Sequence, residues 1–190
     1  MERRVMTAET KFETREENAE SVIEGYFVVF NSDYNICSGL SESIAQGAFR
    51  NALSADIRAL INHDTTLVLG RTSAHTLELR EDAYGLWGRI HINTKDSDAV
   101  NLYERVKRGD ISQCSFGFEV LDEEVIQRDD GSTHWIIKEV RLHEVSCVTF
   151  PAYEETSINA RKQDYATIQK RKLDFWREDM RNRLKGAKSC

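Results

Sequence analysis

The stretch Gln113-Cys114-Ser115-Phe116-Gly117-Phe118-Glu119-Val120, running on to Val125, and the stretch Trp135 to Val148 are the two longest strand-like runs of the chain. Asp129-Asp130-Gly131 lies between them, and an Asp-Gly pair flanked by such runs is a strong hairpin signal. Successive side chains of a strand point to opposite faces. Cys114, Phe116, Phe118 and Val120 therefore share one face, the apolar one, while Ser115, Gly117 and Glu119 share the other. In the second run the same alternation sets Val140, Leu142, Glu144, Ser146 and Val148 against Glu139, Arg141, His143, Val145 and Cys147.

Outward from this hairpin the pattern stays mainly β. Met6, Ala8, Thr10 and Phe12 alternate, a polar stretch from Arg15 to Ser21 follows, and Val22 to Phe30 is a β-rich run, which predicts an N-terminal hairpin. Leu77 to Leu79 and Leu86 to Ile92 flank a turn at Glu81-Asp82-Ala83-Tyr84-Gly85, and Ile57 to Ile61 delivers His63 at the end of a strand. Two helices are expected in this part. One covers Gly47 to Leu53, where Ala48, Phe49, Ala52 and Leu53 have helical spacing. The other starts at an N-cap, Asp96 or Ser97, runs through Val100, Leu102, Tyr103 and Val106, and stops at Gly109. Pro151, the sole proline, closes the last strand. The fold class is α+β and β-dominated.

A chain of 190 residues suits one domain with an appendage and can bury a sizeable core. Charge divides it: residues 1–160 carry 16 Lys/Arg against 28 Asp/Glu, and residues 161–190 carry 10 against 4. Residues 1–158 read as one domain and 159–190 as a basic tail. In the tail Tyr165, Ile168, Leu173, Trp176, Met180 and Leu184 recur at three- to five-residue steps, as in an amphipathic helix. A terminal helix packed on the domain and a segment that docks on a partner or is removed both fit it. Asp174, Glu178 and Asp179 interleave its basic residues and argue against nucleic-acid binding. The apolar runs are too short for a membrane span and no signal peptide opens the chain, so a soluble, cytoplasmically made protein is expected. Cys37, Cys114, Cys147 and Cys190 lack metal or redox spacing, and His75, His91 and His134 lack nearby ligand partners, so neither metal nor cofactor is expected.

Chemistry concentrates in three polar islands, His63-Asp64, Ser115-Phe116-Gly117-Phe118 and Glu144-Val145-Ser146. They supply a base, a hydroxyl nucleophile and a carboxylate, the components of a serine hydrolase. Alternation favours Ser115 over Cys114, which falls on the core face, and Gly117 leaves backbone room for a substrate chain beside the hydroxyl. Glu144 interrupts an apolar face, and a carboxylate there is costly unless paired, so a fixed partner is expected. His63 is the natural one, since a carboxylate on one ring nitrogen aims the other at a hydroxyl. Purely structural roles compete with this reading: Asp64 capping a strand-end turn, Ser115 as a small packing residue, Glu144 paired with Arg71. A cysteine hydrolase using Cys114 is the enzymatic alternative.

Several blocks occur together and in order: Gly25-Tyr26-Phe27-Val28-Val29-Phe30-Asn31-Ser32, Ile44-Ala45-Gln46-Gly47-Ala48-Phe49, Asn62-His63-Asp64 with Val68-Leu69-Gly70-Arg71-Thr72, Arg108-Gly109-Asp110-Ile111-Ser112 leading into Ser115-Phe116-Gly117-Phe118, and Glu144-Val145-Ser146 with Phe150-Pro151-Ala152-Tyr153. From about residue 20 to about residue 158 the chain resembles the tailed-phage prohead maturation proteases. The resemblance implies a serine endopeptidase inside the immature capsid, in the host cytoplasm, that cleaves the scaffolding segment of the major capsid protein and finally itself. It implies a fold similar to herpesvirus assemblin, a mainly antiparallel β-barrel flanked by helices. The family's histidine, serine and acidic residue fall on His63, Ser115 and Glu144. His143 is a rival third member, because the herpesvirus enzymes use a second histidine, but alternation sends it to the opposite face. Cys147 stands where relatives often carry proline. Backbone N–H groups of a Gly70-Arg71 turn or of the loop after Phe150 are candidates for stabilising the oxyanion. A non-enzymatic scaffold or capsid-interior assembly protein that keeps the fold is the alternative, and a homo-oligomer is left open.

Overall fold

The computed structural model of the chain describes residues 4–8, 12–17, 20–150 and 155–186. Thr10 and the Pro151-Ala152-Tyr153 part of the last block lie outside the described residues. The strands are β1 (Arg4–Ala8), β2 (Glu13–Glu17), β3 (Glu20–Val29), β4 (Tyr34–Cys37), β5 (Leu40–Ile44), β6 (Arg58–Ile61), β7 (Asp64–Arg71), β8 (Leu77–Glu81), β9 (Gly85–His91), β10 (Gln113–Gln127) and β11 (Thr133–Val148), with helices α1 (Ser97–Arg108) and α2 (Glu155–Gly186). Two compact units result, residues 1–154 and residues 155–190. The second contains α2, an unbroken helix of 32 residues on which Leu173, Phe175, Trp176 and Met180 are exposed.

The β10–β11 hairpin forms as its pattern predicts and is the spine of a seven-stranded sheet. β1 pairs antiparallel with the free side of β10. β5 and β6 pair in parallel with successive parts of β11, β4 pairs with β5 and β7 with β6. A second sheet of four strands runs β2-β3-β9-β8. The expected antiparallel barrel does not form: two sheets stay open, and the first mixes parallel with antiparallel pairs. Because β10 and β5/β6 occupy the two sides of β11, closure would require β1 to find a second strand partner, and among the described strands it has only β10. The sheets meet through side chains, as where the Cys114 thiol donates to the Tyr26 carbonyl at 3.2 Å. Phe116 stacks on Phe118 at 4.8 Å and meets Phe49 edge-on at 5.8 Å, giving the core its aromatic centre.

Local signals account for α1. The Asp96 carboxylate accepts from the N–H groups of Asp98 and Ala99, Gly109 ends the helix at φ 87°, and Ala99, Leu102, Tyr103 and Val106 are its buried stripe. Two expectations fail nearby. Gly47 to Leu53 is not an α-helix but a succession of i→i+3 turns ending in a short 3-10 turn at Ala52–Ser54. The Glu81 carboxylate, from another part of the chain, captures the N–H groups of Gly47 and Phe49 at 2.6 and 3.1 Å and fixes this tight path. The polar stretch after Phe12 is not a loop but strand β2, which carries little apolar signal because cross-strand pairs such as Arg15 to Glu24, at 3.1 Å, line its surface.

At Gly85 the β3–β9 pairing brings backbones so close that a Cβ would lie 1.9 Å from the Val28 carbonyl oxygen. Backbone cannot yield as a side chain can. Gly85→Ala is expected to lower stability by about 1–3 kcal/mol, read as a fall in the urea midpoint at unchanged slope.

Candidate active site

β6 and β7 are joined by a two-residue turn, since Ile61 pairs with Asp64 and only Asn62 and His63 intervene. Both have positive φ, 50° and 62°, as a hairpin turn matching the strand twist demands. Neither is glycine, so the backbone is strained here. Three bonds hold it: the Asn62 N–H donates to the Cys147 carbonyl at 3.0 Å, the Thr149 N–H donates to Asn62 Oδ1 at 2.9 Å, and the His63 N–H donates to Ser146 Oγ at 3.2 Å. Asp64 caps the following residues as the structural reading of it expected. Its Oδ1 accepts from the Thr66 hydroxyl and N–H, which hold the carboxyl below its ordinary range.

The β10–β11 register then decides which side chains face His63. Ser115 lies opposite Ser146 and Gly117 opposite Glu144, but Phe118 lies opposite Leu142, so His143 is an extra residue on β11. This bulge corrects the strict alternation read from the sequence. Val140 and Leu142 join Val145 and Cys147 on the core face with Phe116 and Phe118, while Glu144 and Ser146 face the other side with Ser115 and Gly117. Glu144 therefore does not interrupt an apolar face. His143 is not sent away from Glu144 either: both line a cavity of about 500 Å³ together with Arg58, Leu60, Glu119 and Arg141. The His143 ring bonds Glu119 at 3.2 Å.

Glu144 is 2% exposed, and its Oε1 lies 2.8 Å from His63 Nδ1. Its Oε2 accepts from the Ser146 hydroxyl at 2.7 Å. An ionised carboxylate only accepts, so Nδ1 carries the proton and Nε2 is the basic nitrogen of the ring. Nε2 is buried and has no hydrogen-bond partner. The alternative partner for Glu144 is engaged elsewhere, since Arg71 Nε donates to Asp56 at 2.9 Å.

Ser115 shares the face of this pair but is not joined to it. It is fully buried, its hydroxyl donates to the Met6 carbonyl at 2.8 Å, and the Thr7 hydroxyl donates to it at 3.3 Å. Cys114 and Cys147 face each other on the core side, and burial pushes the Cys147 thiol far up. Gly70 and Arg71 belong to β7 rather than to a turn, and the Arg71 N–H is taken by Thr76 Oγ1. Ser146 is the residue that the islands contained without its task being read. It bridges the His63 backbone and Glu144, and its place two residues from Glu144 on one strand is the signal for a shared face.

A family model described as Caudovirus prohead serine protease matches residues 8–171. The chain belongs to that family, peptidases that act in the maturation of the tailed-phage prohead. It is 30% identical over 176 residues to the prohead protease of Enterobacteria phage HK97, covering 90% of this chain and 73% of that protein. To the prohead protease of Escherichia phage T5 it is 29% identical over 103 residues, 54% of this chain and 45% of that protein. Among solved structures it is similar in fold to the bacteriophage T4 capsid assembly protease, gp21, with a TM-score of 0.52 over 80% of this chain and 100% of that one at 14% identity.

The left-handed backbone at His63 makes a differential measurement possible. His63→Gly and His63→Ala both remove the ring, but only alanine retains the φ penalty. The glycine variant is expected to be more stable than the alanine variant by about 1–2 kcal/mol in urea unfolding.

Proposed function

We propose that Ser115 is the nucleophile, His63 the general base and Glu144 the residue that orients and stabilises the imidazolium, and that the substrates are the scaffolding segment of the capsid protein and the chain itself. The observation that carries the reading is the contact of His63 Nδ1 with the buried Glu144 carboxylate on the hairpin face shared by Ser115. With Nδ1 protonated, Nε2 accepts the Ser115 proton as Oγ attacks the scissile carbonyl. The charged ring is then held against Glu144 and returns the proton to the leaving amine. Water attacks the acyl-enzyme by the same route. Ser146 keeps Glu144 and the strained turn in register, so the base does not have to be positioned anew at each turnover.

In this reading residues 1–158 form the protease domain and residues 159–190 a basic tail. The acidic domain and the tail, which holds 10 basic residues against 4 acidic, differ enough in charge for the tail to guide uptake into the prohead by contacting acidic scaffold or shell surfaces. Cleavage inside the closed shell suits a peptidase whose substrate surrounds it at high local concentration.

Ser115→Ala is expected to lower processing of a co-expressed capsid precursor by at least about 10⁴-fold, and Glu144→Gln by about 10⁴-fold, because the wrong tautomer is then favoured. Cys114→Ala should leave processing near wild type. Band shifts of the precursor read all three, and undiminished processing by Ser115→Ala would exclude the nucleophile assignment.

A further inference from the structure

The cavity beside Glu144 takes no part in the proton transfers, yet it opens along the face that carries Ser115. On β10 that face continues from Ser115 through Gly117, which lies opposite Glu144, to Glu119, which lies opposite Arg141. Glu144, Glu119 and Arg141 all line the cavity. At about 3.4 Å per residue it therefore spans from about 7 to about 14 Å along the strand from the hydroxyl, the reach of two to four residues of extended chain. Leu60 and Val68, cross-strand partners on β6 and β7, give it an apolar side.

Its charges are unequally screened. The two lining cations, Arg58 and Arg141, have side chains 43% and 58% exposed, and each is already held by a lining carboxylate, Asp56 at 3.3 Å and Glu119 at 2.8 Å. Water screens them strongly. The carboxylates of Glu119 and Glu144 are 17% and 3% exposed, where charge is felt further. The interior of the cavity is thus negative although its rim is mixed. Glu119 accepts from Arg141 at Oε2, and the His143 ring bonds Oε1 at 3.2 Å, one contact on each oxygen. A carboxylate has about four acceptor sites, so this one has capacity for a ligand donor.

We infer that the cavity is a substrate subsite for a lysine or arginine side chain two to four residues from the scissile bond. The methylene stem lies on Leu60 and Val68, and the cationic head is held by Glu119. This rests on the assignment of Ser115 as nucleophile. An acidic side chain in the same place would meet two buried carboxylates and be rejected. The chain itself offers the required chemistry in its tail, at Arg161-Lys162 and at Lys170-Arg171-Lys172.

The test incubates the full-length chain with a proteome-derived peptide library and maps the cut bonds by mass spectrometry. Wild type is expected to enrich lysine and arginine at one fixed position two to four residues from the cut. Peptides carrying lysine or its uncharged isostere norleucine there then give a ratio of kcat/KM values, which Glu119→Gln is expected to lower by about tenfold or more. Glu119→Lys should turn the preference toward aspartate and glutamate, a reversal that loss of structure cannot produce. No basic preference at those positions, or an unchanged lysine-to-norleucine ratio in Glu119→Gln, overturns the subsite while cleavage abolished by Ser115→Ala keeps the nucleophile. Cleavage that persists in Ser115→Ala, or none by the wild-type chain, removes the nucleophile assignment and this inference with it.

Discussion

The extra residue at His143 is the constraint on which the rest of the site depends. Without it, alternation along β11 would carry Glu144 to the side of Val140 and Leu142, into the core. The β10–β11 pair would then have to bury either a carboxylate or a polar face. Placing one unpaired residue opposite the Gly117–Phe118 step changes the phase between the two halves of the strand. Below the bulge the core receives Val140 and Leu142, and above it the core receives Val145 and Cys147. Glu144 and Ser146 are left on the face of Ser115. A long hairpin can thus serve one hydrophobic core along its length and still present a polar cluster near its end.

Parallel pairing of β6 with β11 supplies the other half of that geometry. Cys147 lies beside Ile61, so the turn that follows Ile61 arrives at the level where the hairpin carries Ser146 and Glu144. The turn is tight enough to require positive φ at a residue other than glycine, a cost on the order of 1–3 kcal/mol. Bonds to Cys147, Ser146 and Thr149 offset it, and every one of them comes from β11 or the residue after it. The strain and its compensation act on the same few ångströms, which fixes the imidazole more tightly than an exposed loop would.

Much of this was legible in the residues. The Asp-Gly turn, the α1 caps and the aromatic face of β10 are local signals, and each element formed near its expected bounds. What was not legible was long-range. No glycine or proline marks the bulge at His143, because it is defined only relative to β10. The face assignment of Glu144 was therefore wrong in its reason, although its pairing with His63 was expected. β2 has the composition of a loop and becomes a strand because β3 offers it Glu24 and a free edge. The open sheets in place of a barrel follow from which sides of β11 are taken, and no single segment encodes that. Ser146 was in view but without a task, since its two bonds join residues far apart in sequence.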